Sequence, residues 1–250
     1  MLALSKSLWF RMSCIIALLY VGIFSLILFL RAVQIIDDNS FSSALGSDDA
    51  HLPFVTMLLF FGIFFSFVIY FANSLFAGKF IHINLPRALI YMGVAGVVAP
   101  IGEYLINSAA VFFTGDPVFL YHIAPIHHGY TSLVMMALWP TYGFHFYCFH
   151  EVLAERGSKV SIGILALIMG IDGIVMETLV NVLSVVLFSA NIFYYTATDL
   201  SHVSSVVILP VYATIGFFGI KLIHLIEAQK ARMFYVCHIF IASGLFFLLG

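Results

Sequence analysis

Long apolar stretches alternate with short polar connections along the whole chain. We predict seven membrane-spanning helices, at roughly 12–31, 53–77, 87–113, 130–150, 160–189, 203–226 and 231–249. A stretch of about 20 apolar residues suits a helix that crosses the hydrocarbon core of a bilayer. Because that core holds no water, the backbone groups of each span must pair within the span, as they do in a helix. The pattern therefore predicts an all-α, polytopic membrane bundle that forms a single domain over 1–250.

The connections between these spans alternate in charge. Nine of the ten Lys and Arg residues fall on one side, and only Arg31 falls on the other, which also carries six aspartates. The positive-inside rule makes the cation-rich side cytoplasmic. We therefore expect a multi-pass protein, of the bacterial inner membrane, with its N-terminus in the cytoplasm and its C-terminus outside.

The composition excludes a water-facing surface. The chain is 63% hydrophobic and only 9% charged, whereas a soluble domain is about 25% charged. Membrane lipids are the expected surroundings, and a membrane-protein partner or a second copy of the chain would fit the same apolar surface. The formal net charge of −2 gives no basic surface for nucleic acid.

Two parts of the chain are related by an internal repeat, which we place at 87–150 and 160–226. Residues 103–128 and 177–202 share seven identities over 26 ungapped positions, at a constant offset of 74. Glu, Asn and His, which are rare in this chain, are among the identities. After a shift of four, Pro140-Thr141-Tyr142 also resembles Pro210-Val211-Tyr212. Both copies run in the same direction, so the repeat is parallel, and transporters with such repeats have their sites at the repeat interface.

Ionisable side chains inside the predicted spans are the first candidates for function, because such groups are costly in a bilayer. Glu103 lies roughly 24 Å along a helix from Arg87, and Glu177 lies roughly 27 Å from Lys159, so both reach the outer third of the membrane. Two nearby carboxyl groups would push their proton affinities apart, which suits general acid–base catalysis. Asp172 lies deeper and is a third catalytic candidate.

Further polar groups reach the same level and are candidates for binding a substrate. An asparagine follows each glutamate at i+4, on the same helix face, where its amide would orient the carboxyl group. We expect one cavity, open to the outer leaflet, that includes both glutamates and the following residues: Asn107, Asn181, Tyr121, Tyr195, His128 and His202. The alternative is that the buried Glu and Asn residues only hold helices together by hydrogen bonds.

A metal site is the second chemical alternative. His122-x4-His127-His128 and His145-x4-His150 superficially resemble the histidine boxes of membrane di-iron enzymes. The predicted spans separate the two boxes in depth, so they do not form one shared site. A different site would use outer histidines, because imidazole binds zinc, copper and iron: His122, His127, His128 and His202. We predict no cofactor as the first choice and keep a metal ion as an alternative.

Four segments, within about half of the chain, carry a resemblance to known membrane enzymes: Asp172–Asn181, Phe193-Tyr194-Tyr195, Pro210-Val211-Tyr212 and Glu103–Asn107. They resemble, distantly, the membrane spirocyclase-like family of avermectin biosynthesis, and they are similar to membrane carotenoid hydratases. The acidic residue expected after the Pro-x-Tyr element is absent, since Ala213 and Thr214 follow Tyr212, and the histidine-rich loop is particular to this chain. The resemblance implies acid–base chemistry on a lipophilic substrate without a redox cofactor.

The sequence leaves the enzymatic status open between several classes. The first is a metal-free membrane enzyme that cyclises, hydrates or isomerises a lipophilic small molecule such as a terpenoid or polyketide. The others are a non-catalytic transmembrane subunit or lipid- or pigment-binding protein, a histidine-ligated oxidase or electron-transfer subunit, and a transporter.

Overall fold

The structure, a computed structural model, describes residues 56–157 and 160–249, which fold mainly into helices. Four helical segments are long and apolar enough to cross a membrane: Thr56–Ala77, Leu85–Thr114, Ile162–Phe188 and Val206–Glu227. The prediction of a multi-pass α-helical membrane protein is confirmed at this level. The predicted span 12–31 lies outside the described residues.

The α-helices of the described ranges are α1 to α6, in chain order Phe65–Ala77, Leu85–Thr114, Met135–Glu155, Ile162–Phe188, Leu209–Glu227 and Arg232–Leu248. A π-helical turn, Phe60–Phe64, leads into α1, and short 3-10 turns lie at His127–Gly129 and Val206–Ile208. Four short strands, which the sequence did not predict, lie in the connections: β1 Phe119–Tyr121, β2 Pro125–Ile126, β3 Thr131–Ser132 and β4 Phe193–Tyr195. Strand β1 pairs antiparallel with β4, with Leu120 opposite Tyr194, and β2 pairs antiparallel with β3.

Local capping fixes the ends of the two long helices α2 and α4. The Asn84 side chain accepts a hydrogen bond from the Arg87 amide, and the Ser161 side chain accepts one from the Ile164 amide. Such acceptors satisfy amides that have no partner inside the helix. Helix α2 ends at Gly115, in the left-handed conformation that glycine adopts without strain.

Helix α3 begins and ends about five residues later than the predicted span 130–150. Thr131 and Ser132 pair with β2 instead of starting the helix. At the other end, the helix continues because its carboxylates have cationic partners. Glu151 pairs with Arg87, and Glu155 pairs with Lys79 at 3.0 Å.

Glycines let the helices approach closely in each half of the bundle. A Cβ atom at Gly143 of α3 would lie 2.4 Å from the Tyr91 carbonyl oxygen of α2, so α2 and α3 cross in backbone contact. A Cβ atom at Gly216 of α5 would lie 3.3 Å from Met169 of α4. Small residues at such crossings allow the close packing that stabilises helix pairs in membranes.

Helix α6 packs against α2 beside a proline. Pro100 lies inside α2 and has no N–H to donate to the Gly96 carbonyl, four residues earlier. Ser243 of α6 donates its hydroxyl to that carbonyl at 2.7 Å. The Gly96 carbonyl, which Pro100 leaves without a helical partner, therefore joins α2 to α6 through this hydrogen bond.

One end of the bundle carries the cations Lys79, Arg87 and Arg156, and we call it the cation-rich end. Arg87 of α2 contacts Glu151 of α3 and, at 2.5 Å, Glu227 of α5. This network joins three helices at the end opposite to the strands.

Candidate functional site

Glu103 lies on α2 and is almost completely buried, with 3% of its surface exposed. Its carboxyl group accepts hydrogen bonds from side chains of three different elements. Tyr121 of β1 donates its hydroxyl, Thr131 of β3 donates at 2.7 Å, and the Trp139 indole of α3 donates at 3.1 Å. Such partners offset part of the cost of burying a carboxyl group in a membrane.

Glu177 on α4 has a matching set of partners. Tyr195 of β4 donates to both carboxyl oxygens, at 2.9 and 3.0 Å. Ser204 donates at 2.8 Å, and Tyr212 of α5 donates to Oε1. Both glutamates predicted from the sequence therefore occupy polar pockets of similar design.

The donors to Glu103 and the donors to Glu177 are separated by nearly constant distances in sequence. Tyr121 and Tyr195 lie 74 positions apart, as the glutamates do, whereas the pairs Thr131/Ser204 and Trp139/Tyr212 lie 73 apart. These contacts give an offset of 73 in this segment, whereas the resemblance of Pro140-Thr141-Tyr142 to Pro210-Val211-Tyr212 has an offset of 70. Contact geometry aligns Trp139, rather than Tyr142, with Tyr212.

Burial determines the protonation of the two strand tyrosines. It raises the pKa of the Tyr121 and Tyr195 hydroxyls well above their usual range. Both phenols consequently stay protonated and donate to the carboxyl groups. They act as hydrogen-bond donors to Glu103 and Glu177.

The two asparagines have a different role from the predicted one. The Asn107 oxygen accepts from the amides of Val118 and Phe119, at 2.9 and 3.2 Å. The Asn181 oxygen accepts from Ile192 and Phe193, at 3.1 and 3.5 Å. The amides thus hold the chain entering β1 and β4, because unpaired backbone groups are costly when buried, and they do not orient the glutamates.

The loops at the strand-bearing end of the bundle contain pairs of consecutive left-handed residues at corresponding positions. His127 and His128 have φ of 52° and 63°, and Ser201 and His202 have φ of 51° and 64°. His202 donates from Nδ1 to the Tyr195 carbonyl at 2.7 Å and stacks on Tyr194. Its imidazole therefore holds the loop together instead of facing a substrate.

A narrow cleft lies beside Glu177. It has about 50 Å³ of space for water-sized molecules. The walls are otherwise mainly apolar and aromatic: Phe65, Tyr121, Met135, Leu138, Trp139, Tyr142, Gly173, Met176, Val180 and Phe193. Of the residues predicted to line one outer cavity, Glu177 and Tyr121 line this cleft.

Glu103 does not line the cleft, and the packing around α2 shows why. Ile215 of α5 fills the space beside Gly102, where a Cβ atom would lie 2.6 Å from its Cδ1 atom. At the corresponding place in the other half, Tyr142 and Met176 border open space. The cleft therefore includes one of the two glutamates that were predicted to share a cavity.

Asp172 lies about one and a half turns before Glu177 on α4. Its carboxylate contacts the His145 Nε2 atom of α3 at 3.2 Å. The Asn73 amide of α1 contacts the His145 Nδ1 atom at 3.1 Å. The third predicted carboxylate therefore belongs to a separate polar group that joins three helices.

The outer histidines proposed as metal ligands have separate partners. His127 donates from Nε2 to the Phe246 carbonyl at 2.9 Å, His128 lies near Tyr130, and His122 lies near Tyr194. Within residues 56–157 and 160–249, no three His, Cys, Asp or Glu side chains lie close enough together to hold a metal ion.

Sequence reasoning missed four donors to the carboxyl groups: Thr131, Trp139, Ser204 and Tyr212. A signal for them was present in the chain. Extending the 74-residue repeat with a single deletion after His128 would align Thr131 with Ser204 and Trp139 with Tyr212.

Fold and site together define a multi-pass α-helical membrane protein in which one of two similar carboxyl groups borders an apolar cleft. Comparisons with family models, curated proteins and solved structures give no match for the chain.

Proposed function

We propose that the protein is a membrane-embedded enzyme that performs general acid–base chemistry on a lipophilic substrate. The observation that carries this proposal is the position of Glu177, a carboxyl group in the wall of an otherwise apolar and aromatic cleft. Apolar walls select a lipid-soluble reactant, and a carboxyl group can give or take a proton. Cyclisation, hydration and isomerisation are the reactions that such a site favours.

The chemistry requires no external electron donor or acceptor. The Glu177 acid would protonate an alkene or carbonyl group that enters the cleft, and the resulting carboxylate would accept a proton from a neighbouring carbon or from added water. Positive charge on the substrate would be stabilised by the ring faces of Trp139 and Tyr142. Hydroxyl donors from Tyr195, Ser204 and Tyr212 hold the carboxyl group in place throughout.

Glu103 takes a supporting role in this proposal. It is buried and contacts Tyr121, whose ring forms part of the cleft wall.

The proposal includes the membrane topology. The charge asymmetry and the span pattern support a seven-span protein with a cytoplasmic N-terminus and an outer C-terminus. The matched contacts of the two glutamates support an origin of segments 87–150 and 160–226 by duplication.

Deuterium labelling tests the reaction class before the substrate is known. Purified protein in lipid vesicles is incubated in D2O with a lipid extract of the source cells, and products are examined by mass spectrometry. Protonation at carbon adds one deuteron to the product. We expect labelling with the native protein and with Glu155→Gln, a control at an ion pair outside the cleft. We expect labelling with Glu177→Gln to be slower by about 10²-fold or more.

Two results would contradict the proposal. Labelling by Glu177→Gln at the native rate would remove the carboxyl group from the reaction. A native protein that retains a stoichiometric lipid but labels nothing would instead indicate a lipid-binding protein or a subunit of a larger complex.

A further inference from the structure

A chain of polar side chains leads from the cation-rich end of the bundle toward the Glu177 cleft. Asn73 of α1 contacts His145 of α3 at 3.1 Å, and His145 contacts Asp172 of α4 at 3.2 Å. Tyr142 lies one turn from His145 on α3, with the ring centres 6.0 Å apart, and borders the cleft together with Glu177.

The hydrogen bonds determine where the His145 proton resides. The Asn73 amide nitrogen can only donate, and it also donates to the Ile69 carbonyl at 2.9 Å. Nδ1 of His145 is therefore the acceptor, and Nε2 carries the hydrogen that faces Asp172. In this arrangement a neutral imidazole is held ready to exchange a proton with a carboxylate.

These groups lie in the half of the bundle that includes the cation-rich end. Asn73 lies four residues before the end of α1, which corresponds to roughly 6 Å along the helix. Asp172 directly precedes Gly173, which lines the cleft. The other titratable groups that face this region are Tyr142 and, from α4, Glu177.

A purely structural tie between α1 and α3 would not need ionisable groups. Elsewhere the same two segments are joined by neutral hydroxyls, since Thr141 donates to the Phe61 carbonyl at 3.0 Å and lies 3.3 Å from Ser66. A histidine and an aspartate inside a membrane are costly and typically mark ion or proton pathways.

We propose that Asn73, His145, Asp172 and Tyr142 form a proton relay that connects the cation-rich end with Glu177. The relay rests on the proposed function, because it supplies or removes the proton that Glu177 exchanges with the substrate. Rotation of the Asn73 amide presents its oxygen and allows a proton to bind at Nδ1 of His145. The imidazolium releases its Nε2 proton to Asp172, so one proton enters and one leaves.

Tyr142, whose hydroxyl donates to the Met169 carbonyl at 3.1 Å, borders the cleft with Glu177, and in this proposal the final step runs from Asp172 to Glu177 through water in the cleft. The free space of about 50 Å³ is enough for water molecules to bridge these groups. Transfer in the opposite direction removes a proton that Glu177 takes from a substrate. His145 and Asp172 are thus relay residues that act through Glu177.

Hydrogen–deuterium exchange at the Glu177 carboxyl group tests the relay without any substrate. The protein in lipid nanodiscs is transferred rapidly to D2O, at a pH where the Glu177 carboxylic acid band is present in the infrared spectrum. The band is assigned by its loss in Glu177→Gln. We expect exchange to slow by at least about tenfold in His145→Ala and Asp172→Asn, because a raised transfer barrier lowers the rate exponentially.

Two controls separate proton transfer from helix packing. Free imidazole should restore exchange in His145→Ala, and Thr141→Val, which removes a neutral tie between the same segments, should exchange like the native protein. Unchanged exchange in both relay variants, equal slowing in Thr141→Val, or the lack of any Glu177 acid band would each overturn the relay. Failure of the proposed enzymatic function would be seen separately, as deuterium labelling of products that persists at the native rate in Glu177→Gln.

Discussion

The two halves of the bundle, 85–155 and 162–227, surround similar carboxyl groups but expose them differently. In each half a helix carries the glutamate, and a strand tyrosine, the hydroxyl of a Thr or Ser and an aromatic side chain donate to it. In the second half the Glu177 carboxyl group lines an open cleft, whereas Glu103 in the first half is almost completely buried. Packing differs at corresponding positions, since Ile215 lies against Gly102 in the first half and Tyr142 borders the cleft in the second. Side chains from other helices therefore determine how each carboxyl group is exposed.

Exchanging each glutamate for glutamine gives the largest expected difference between the halves. Glu177→Gln should lower the rate of deuterium labelling by about 10²- to 10⁴-fold, the usual contribution of a general acid or base. Glu103→Gln should retain measurable labelling and lower the unfolding temperature instead, because its partners are structural. Equal losses of activity in the two variants would contradict the assignment of unequal roles.

Substituting alanine for a glycine at the helix crossing of each half should lower the free energy of unfolding to different extents. Gly143→Ala places a methyl group 2.4 Å from a backbone oxygen of α2. We expect a loss of about 3 kcal/mol in the free energy of unfolding, at the upper end of overpacking effects. Gly216→Ala should cost less, because its new methyl group would lie 3.3 Å from the nearest atoms of Met169 rather than 2.4 Å from a backbone oxygen. Unfolding midpoints in detergent measure both, and a Gly216→Ala variant as unstable as Gly143→Ala would argue against the comparison.

The loop-holding asparagines should contribute to stability in both halves. Truncation to alanine leaves buried backbone amides without partners, at a cost of about 1–3 kcal/mol. Asn181→Ala should cost more than Asn107→Ala, since the Asn181 nitrogen donates to Phe193 and Val203 carbonyls at 2.8 and 3.1 Å, whereas Asn107 donates only one bond, at 3.5 Å. Chemical unfolding of the two variants gives this order, and the reverse order would refute it.

The smallest expected difference is a pH effect confined to the second outer loop. Asp199 accepts the Val206 amide at 2.7 Å, and this hydrogen bond lowers the pKa of the exposed carboxyl group below its usual 3.8. A lowered folded-state pKa means that the stabilisation is present above the unfolded value and is lost as pH falls through the folded value. The first loop has Pro125 at the corresponding position, 74 residues earlier.

Unfolding temperatures between about pH 6 and pH 3 measure this effect. The native protein should lose slightly more stability on acidification than Asp199→Asn. Identical pH profiles would show that the hydrogen bond between Asp199 and the Val206 amide does not contribute to stability.

Much of the fold was predictable because the membrane imposes strong rules on the chain. Helices α1, α2, α4, α5 and α6 lie close to predicted spans. The shift of α3 was not predictable, since Thr131 and Ser132 pair with β2 before its start, and Glu151 and Glu155 near its end pair with the distant residues Arg87 and Lys79. The strands were missed because segments of two or three residues carry no reliable periodicity.

By itself, the sequence determined the membrane environment, the helical class and the two glutamates that form the polar centres. Apolar length, charge asymmetry and the cost of buried carboxyl groups are local properties that one chain displays. Tertiary structure alone decided that the asparagines hold strands, that Trp139 and Tyr212 complete the two pockets, and that His145 meets Asp172. It also decided that Glu177, rather than Glu103, borders a cleft, because exposure depends on which side chains from other helices fill the neighbouring space.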